Sequence, residues 1–168
     1  RYQRLRLSRR KGNAIRTELI SAGFAEAVRI PTRSGQVILL ELTDAGRGVC
    51  KKLEVDPGPA PRESLEHRYW VARVAEWFET DGYAVALEKQ LGNGFVDVLA
   101  ARESERVAVE IETGKSDIAA NIQKLTEEDL DEILLVATSP SAIKACEKAV
   151  AAVDTSQRIR VMSWLDFD

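Results

Sequence analysis

The sequence predicts a layered α/β domain with a mixed sheet over residues 62–168, preceded by a small α+β module over residues 1–55. Three observations carry this. Helix-like and strand-like stretches alternate in the second part, in the order helix, three strands, helix, strand, helix, strand. The run Asp-Pro-Gly-Pro-Ala-Pro at 56–61 can continue neither helix nor sheet, and so reads as a proline-rich linker. Charge divides at nearly the same place: residues 1–52 carry 12 Lys/Arg against 4 Asp/Glu, and residues 53–168 carry 12 against 23. The net charge of −3 therefore hides a basic module, suited to a polyanion, beside an acidic one.

In the basic module, Ser8 is placed to cap a helix running to about Ala22, with Ile15, Leu19 and Ile20 as its apolar stripe and Gly23 ending it. Strand-like runs at 25–30 and 36–42 follow, joined by Pro-Thr-Arg-Ser-Gly at 31–35. A second helix, capped at Thr43 or Asp44, is predicted to about Leu53. Helix, hairpin, helix in this order resembles the second half of a winged helix-turn-helix; residues 1–6 read as the end of a preceding helix, and the family's usual first helix is missing. The resemblance implies that Arg9, Arg10, Lys11 and Arg16 lie on or beside a recognition helix and Arg33 on a wing, all contacting DNA phosphates. A solvated basic face, or a winged helix that binds protein, is the other reading of the same residues.

In the acidic module, residues 64–81 form a predicted helix with Trp70, Val71, Val74, Trp77 and Phe78 on one core-facing side. Gly82 stops it. Strands are predicted at 83–88, 95–101 and 107–113, with a tight turn at Gly92-Asn93-Gly94 and a polar turn at 102–106. A helix at 117–125, a buried strand at 133–138, a helix opened by Pro140 and reaching about Val153, and a strand at 159–164 complete the order. The acidic run 127–132 reads as a solvated loop.

Three carboxylates stand out. Asp97 sits among Phe95, Val96, Val98 and Leu99, a run expected to be buried on both faces, where a lone charge costs several kcal/mol, roughly, unless paired or metal-bound. On the next strand, alternation gives Val107, Val109 and Ile111 one face and puts Glu110 and Glu112 together on the other. If the strands are neighbours, Asp97 and Glu110 converge. Only a cation or Lys115 is at hand to neutralise three acids, and such oxygen ligands suit Mg²⁺ or Mn²⁺.

The segment Gly94-Phe95-Val96-Asp97-Val98-Leu99-Ala100, followed after a turn by Val109-Glu110-Ile111-Glu112, resembles the signature of the PD-(D/E)XK, or restriction-endonuclease-like, nucleases. Archaeal Holliday junction resolvases and Mrr-type restriction enzymes have a similar arrangement. The family's helix, three strands, helix, strand order corresponds to residues 64–138. The resemblance implies that Asp97, Glu110 and Glu112 are the metal ligands and that Glu112 stands where the family usually has lysine, as a base or second ligand. Lys115, three residues on, would then supply the missing positive charge. An acid from the first helix, Glu66 with Glu76 second, would join the catalytic set, and Asn121 and Lys124 on the following helix would contact DNA. The expected reaction is Mg²⁺- or Mn²⁺-dependent phosphodiester hydrolysis of DNA. The alternative is a non-catalytic DNA-binding or assembly module with an inactive nuclease-like fold, which the acid at position 112 favours.

Other signals point away from competing chemistries. Thr-Gly-Lys-Ser at 113–116 ends like a phosphate-binding loop, but the upstream position that requires glycine is Val109. His67 is the single histidine and reads as a helix-surface residue, so no nucleophilic triad is expected. Cys50 and Cys146 lack metal-ligand spacing and read as free thiols of a reducing compartment. No apolar run approaches the roughly 18 residues of a membrane span and no signal peptide opens the chain, so a cytoplasmic location is expected, with no membrane partner. The only methionine is Met162, which suggests a piece of a longer polypeptide; the resemblance would fit mobile-element, repair or restriction machinery, with the tail of a larger ATPase as one form of it, and a homodimer is a further expectation.

Overall fold

A computed structural model describes residues 5–168. The chain forms two compact units, Arg1–Leu65 and Glu66–Asp168. The first holds helix α1 (Arg9–Ser21), strands β1 (Ala25–Thr32) and β2 (Gly35–Leu42), and helix α2 (Asp44–Lys52). The second comprises helix α3 (Leu65–Thr80), strands β3 (Ala84–Leu91), β4 (Gly94–Arg102) and β5 (Glu105–Glu112), helix α4 (Ile118–Leu125), strand β6 (Glu132–Ala137), helix α5 (Pro140–Ala152), strand β7 (Arg158–Ser163) and a 3₁₀ turn, Trp164–Phe167.

In the first unit the caps are those the sequence indicates. Ser8 Oγ accepts from the Lys11 amide at 3.3 Å and Thr43 Oγ1 from the Gly46 amide at 3.1 Å, each satisfying an otherwise orphaned N–H. The Thr43 hydroxyl also donates to the Gly23 carbonyl at 2.6 Å, tying the start of α2 to the end of α1. A Cβ at Gly46 would lie 2.0 Å from the Phe24 carbonyl oxygen, so only glycine allows this approach. The antiparallel hairpin runs from Ala25↔Leu42 to Thr32↔Gly35, so Pro31 and Thr32 belong to β1 and the loop shrinks to residues 33–34. A proline is tolerated there because β1 has a free edge in a two-stranded sheet. Ile15 and Ile20, expected as the buried stripe of α1, are 36% and 37% exposed. Two strands offer too little surface to cover them. Residues 5 and 6 form a turn, and the rest of the expected preceding helix lies outside the described residues.

The second unit is built on a five-stranded mixed sheet in the order β3-β4-β5-β6-β7. The first three strands run antiparallel, and β5, β6 and β7 run parallel. The sheet is flanked by helices. On one face Ala108, Ile133, Leu135 and Ala137 pack with Ile118, Ile122 and Leu125 of α4 and Ala142 and Cys146 of α5. The opposite side of the same strands carries Val98, Ala100, Val107, Val109, Leu134 and Val136, all buried, and α3 contributes Trp70, Val74 and Phe78. Every residue of β6 is buried, as a central strand covered on both faces requires.

Three expectations are corrected here. Trp77 is 41% exposed, because it lies outside the α3 stripe of Trp70, Val74 and Phe78 and packs edge-on against Phe167. The last strand stops at Ser163, whose side chain caps the 3₁₀ turn in a reciprocal pair with Asp166, so Trp164 turns inward there. Glu132, expected in a solvated loop, opens β6 at 8% exposure and pairs with Arg160 at 3.0 Å and Arg158 at 3.5 Å on β7. Among the described residues no helix is long and apolar enough to cross a membrane.

Candidate active site

The candidate site forms where the pairing of β4 with its neighbours is interrupted. The β4–β5 ladder ends at Val98↔Val109, and the β3–β4 ladder skips the pair Glu88/Asp97. Glu88 takes φ 46°, a left-handed conformation costly for a side chain with a Cβ. Val96 and Leu99, three residues apart, both pack into the α4/α5 cluster, so strict alternation is broken between them. This is a bulge-like irregularity of the kind that re-aims a side chain. Asp97 is the side chain re-aimed.

Its Oδ2 accepts from the Ile111 amide of β5 at 2.8 Å and lies 3.0 Å from His67 Nε2 of α3. Which of the two atoms donates in the His67 contact is set by the imidazole tautomer. The Asp97 and His67 side chains are 20% and 13% exposed, enclosed yet reachable from solvent.

Glu110 meets Asp97 from the neighbouring strand. It is buried and hydrogen-bonded to Asp97, and its pKa is pushed up to about 9, first by burial and then by the charges of Asp97 and Glu112, with Lys124 pulling the other way. At neutral pH Glu110 therefore holds a proton. Glu112 shares this side of β5 but is turned into the protein at 1% exposure. The Ser116 hydroxyl donates to Glu112 Oε2, and Asn121 Nδ2 lies 3.5 Å from Oε1. Its backbone carbonyl accepts from the Thr138 amide at 2.9 Å.

The other sequence candidates are dispersed around this centre. Lys115 is exposed on the turn after β5. Glu66, in the first turn of α3, is half-buried and makes no hydrogen bond or ion pair to Asp97 or Glu110; the link from this helix is its neighbour His67. The expectation of His67 as a surface residue is thus corrected, and Glu76 is engaged instead by Arg73 at 2.5 Å. Lys124 is exposed, and its stem passes 3.6 Å from the point where a Cβ on Gly94 would sit. Phe95, expected in a doubly buried run, is 71% exposed. It follows the hairpin turn at the sheet edge and faces away from buried Val96. In the first unit Arg9, Arg10, Lys11 and Arg33 are exposed and Arg16 is half-buried.

The donor set suits a hard cation in a particular way. Among the described residues no three His, Cys, Asp or Glu side chains are arranged to enclose a metal ion. Asp97 and Glu110 nonetheless bring two carboxyl groups together, and burial first, then the charges of Asp97 and Glu112, keeps the proton on Glu110. Two carboxylates, completed by water and a substrate phosphate, match the coordination habit of Mg²⁺. The larger surface cavity, about 440 Å³, lies elsewhere, at Arg73, Trp77, Thr80 and Phe167. A cavity of about 320 Å³ is lined by Gly92, Asn93, Ala120, Gln123 and Lys124. Neither lining includes Asp97, Glu110 or His67.

No family model matches the sequence, and no curated protein matches it. Among solved structures, the fold is similar to the protein of unknown function AF1548, at 16% identity over 56% of this chain and 58% of that one, with a TM-score of 0.40. It is also similar to Pyrococcus furiosus SfsA in complex with Ca²⁺, at 13% identity over 59% of this chain and 58% of that one, with a TM-score of 0.43. The chain thus spans less than two thirds of either structure, and both likenesses are slight.

Proposed function

We propose that the second unit is a divalent-metal-dependent DNA nuclease domain of the PD-(D/E)XK kind, and that the basic first unit adds phosphate contacts. The observation that carries this is the meeting of Asp97 and Glu110 from adjacent strands at a break in the ladder, with Glu110 held protonated. Asp97 and Glu110 would hold Mg²⁺ or Mn²⁺, which lowers the pKa of bound water and polarises the phosphate. Asp97 would be held for this role by the Ile111 amide and His67, which both engage its Oδ2. Glu110 would have to release its proton to serve as a ligand, so cation binding would be coupled to deprotonation. Glu112 is engaged by Ser116 and Asn121 near the start of α4. Lys124 and Asn121 line the α4 side from which a phosphate would approach.

A second reading is a non-catalytic DNA-binding or assembly module, favoured by the acid at position 112 and its engagement within the fold. The two readings separate on incubating the protein with linear, branched and single-stranded DNA in Mg²⁺ or Mn²⁺, and again with chelator. Metal-dependent cleavage of any member of the panel supports the nuclease. DNA binding without cleavage, unaffected by Asp97→Ala, supports the module.

A further inference from the structure

Helix α3 and strand β4 run side by side in the same direction, and two contacts fix their alignment. His67, near the start of α3, meets Asp97 at 3.0 Å. Arg102, at the end of β4, donates to the Asp81 carbonyl just past the end of the helix at 2.9 Å. The cover of α3 therefore begins level with Asp97, and Phe95, two residues earlier, lies before it. Val96 points into the α4/α5 core, so Phe95 faces the α3 side, where Asp97 meets His67. Ring and carboxylate thus share one face of one strand, with a rise of about 7 Å between their positions. The ring is 71% exposed, and its cross-strand partner Gln90 is exposed beside it.

A nucleobase is the occupant that fits this ring. The exposed apolar surface at this end of the sheet is Phe95 with Leu87 on the edge strand β3. Two side chains fall far short of the roughly 800 Å² per partner that a stable protein interface buries. One ring does match the face of one base, and such stacking tolerates any sequence. A phosphate held at Asp97 brings neighbouring nucleotides to Phe95, because stacked nucleotides follow one another at about 3.4 Å along a strand. In a duplex each of those bases is already stacked and must be pulled out to meet the ring. An unpaired base offers its face without that cost.

Resting on the nuclease reading, we propose that Phe95 is a base-stacking platform beside the Asp97 carboxylate, and that it selects DNA with an unpaired strand next to the point of cleavage.

The test uses the full chain as wild type, Phe95→Ala and Phe95→Trp, at an exposed position whose replacement leaves the core intact. Affinity is read in chelator, where no cleavage intervenes, by fluorescence anisotropy of a labelled single strand and of a blunt duplex of equal length. Phe95→Ala should lose about tenfold in affinity for the single strand, the size of one base–aromatic stack, and little for the duplex. Phe95→Trp keeps a flat ring and should bind the single strand at least as well as the wild type. In Mn²⁺ the wild type should cut a duplex with a single-stranded extension faster than a blunt one, and Phe95→Ala should lose that preference. Equal losses on both DNAs, no loss on either, or a larger loss on the blunt duplex overturns this inference alone. So does a concentration-dependent dimer of the wild type that Phe95→Ala abolishes, which would assign the ring to a second copy of the chain. A wild type that binds DNA and cuts none overturns the nuclease reading, while the affinities in chelator still decide whether Phe95 stacks a base. A wild type that binds neither DNA overturns both.

Discussion

Glu110 is hydrogen-bonded to Asp97 across the β4–β5 break, and burial with the charges of Asp97 and Glu112 pushes its pKa up to about 9. The ordinary value is 4.5. Below the ordinary value both folded and unfolded chains hold the proton. Between the two values the unfolded chain has released it and the folded chain has not. This group therefore makes stability fall as pH rises through that window, with a slope of up to about 1.4 kcal/mol per pH unit, and the loss levels off above the folded value. Urea midpoints followed across the window should decline in the metal-free protein. Glu110→Gln keeps a neutral hydrogen-bonding side chain and should flatten the decline; an equal decline in that variant would remove Glu110 as its source.

Cation binding should run opposite to this trend. Mn²⁺ must displace the Glu110 proton, so its apparent affinity should rise with pH up to about 9, and titration calorimetry in buffers of different ionisation enthalpy should detect about one proton released per ion. Binding that is independent of pH would place the ion elsewhere.

Legibility in the sequence followed the range of the interaction. The alternation of Val107, Val109 and Ile111 against Glu110 and Glu112 was readable because a strand writes its two faces into neighbouring residues. The Ser8 and Thr43 caps were readable because an N-cap bonds only three residues ahead. His67 was not, since its contact with Asp97 spans 30 residues and a single histidine on a helix carries no local sign of what it faces. The exposure of Phe95 depends on where the hairpin projects from the sheet edge, which apolar neighbours do not encode. Glu112 was placed on the correct strand face, but its capture by Ser116 depends on how the chain turns after β5, where Gly114 takes φ 81°. Trp164 was a local error: Ser163 and Asp166 have capping-box spacing, and the apolar residues between them read as strand.

His67 should act through Asp97. Replacing it by Ala removes a hydrogen-bond partner of the Asp97 carboxyl and should weaken Mn²⁺ binding or turnover about 10- to 100-fold, the usual effect of losing a supporting contact of this kind. His67→Gln, which can still donate, should recover part of the loss. Equal defects in both variants would point to a packing role at the start of α3.

The basic face of the first unit should appear in salt dependence. Replacing Arg9, Arg10 and Lys11 together by Ala should lower the slope of log affinity against log salt by up to about 2.7, since each phosphate contact releases about 0.9 counterion. The residues are exposed, so the helix should survive the change. An unchanged slope would assign this face to a protein partner.

The central claim is that Asp97 and Glu110 form a metal-dependent hydrolytic site. Its most direct test is single-turnover cleavage of a mixed panel of labelled DNAs by the wild type and Asp97→Ala, in Mn²⁺ and in chelator, with both proteins first shown by circular dichroism to be folded. The account predicts cleavage by the wild type in Mn²⁺ alone and none by Asp97→Ala in either condition. Cleavage by a folded Asp97→Ala protein at the wild-type rate, or no cleavage by the wild type of any DNA in the panel, would contradict it.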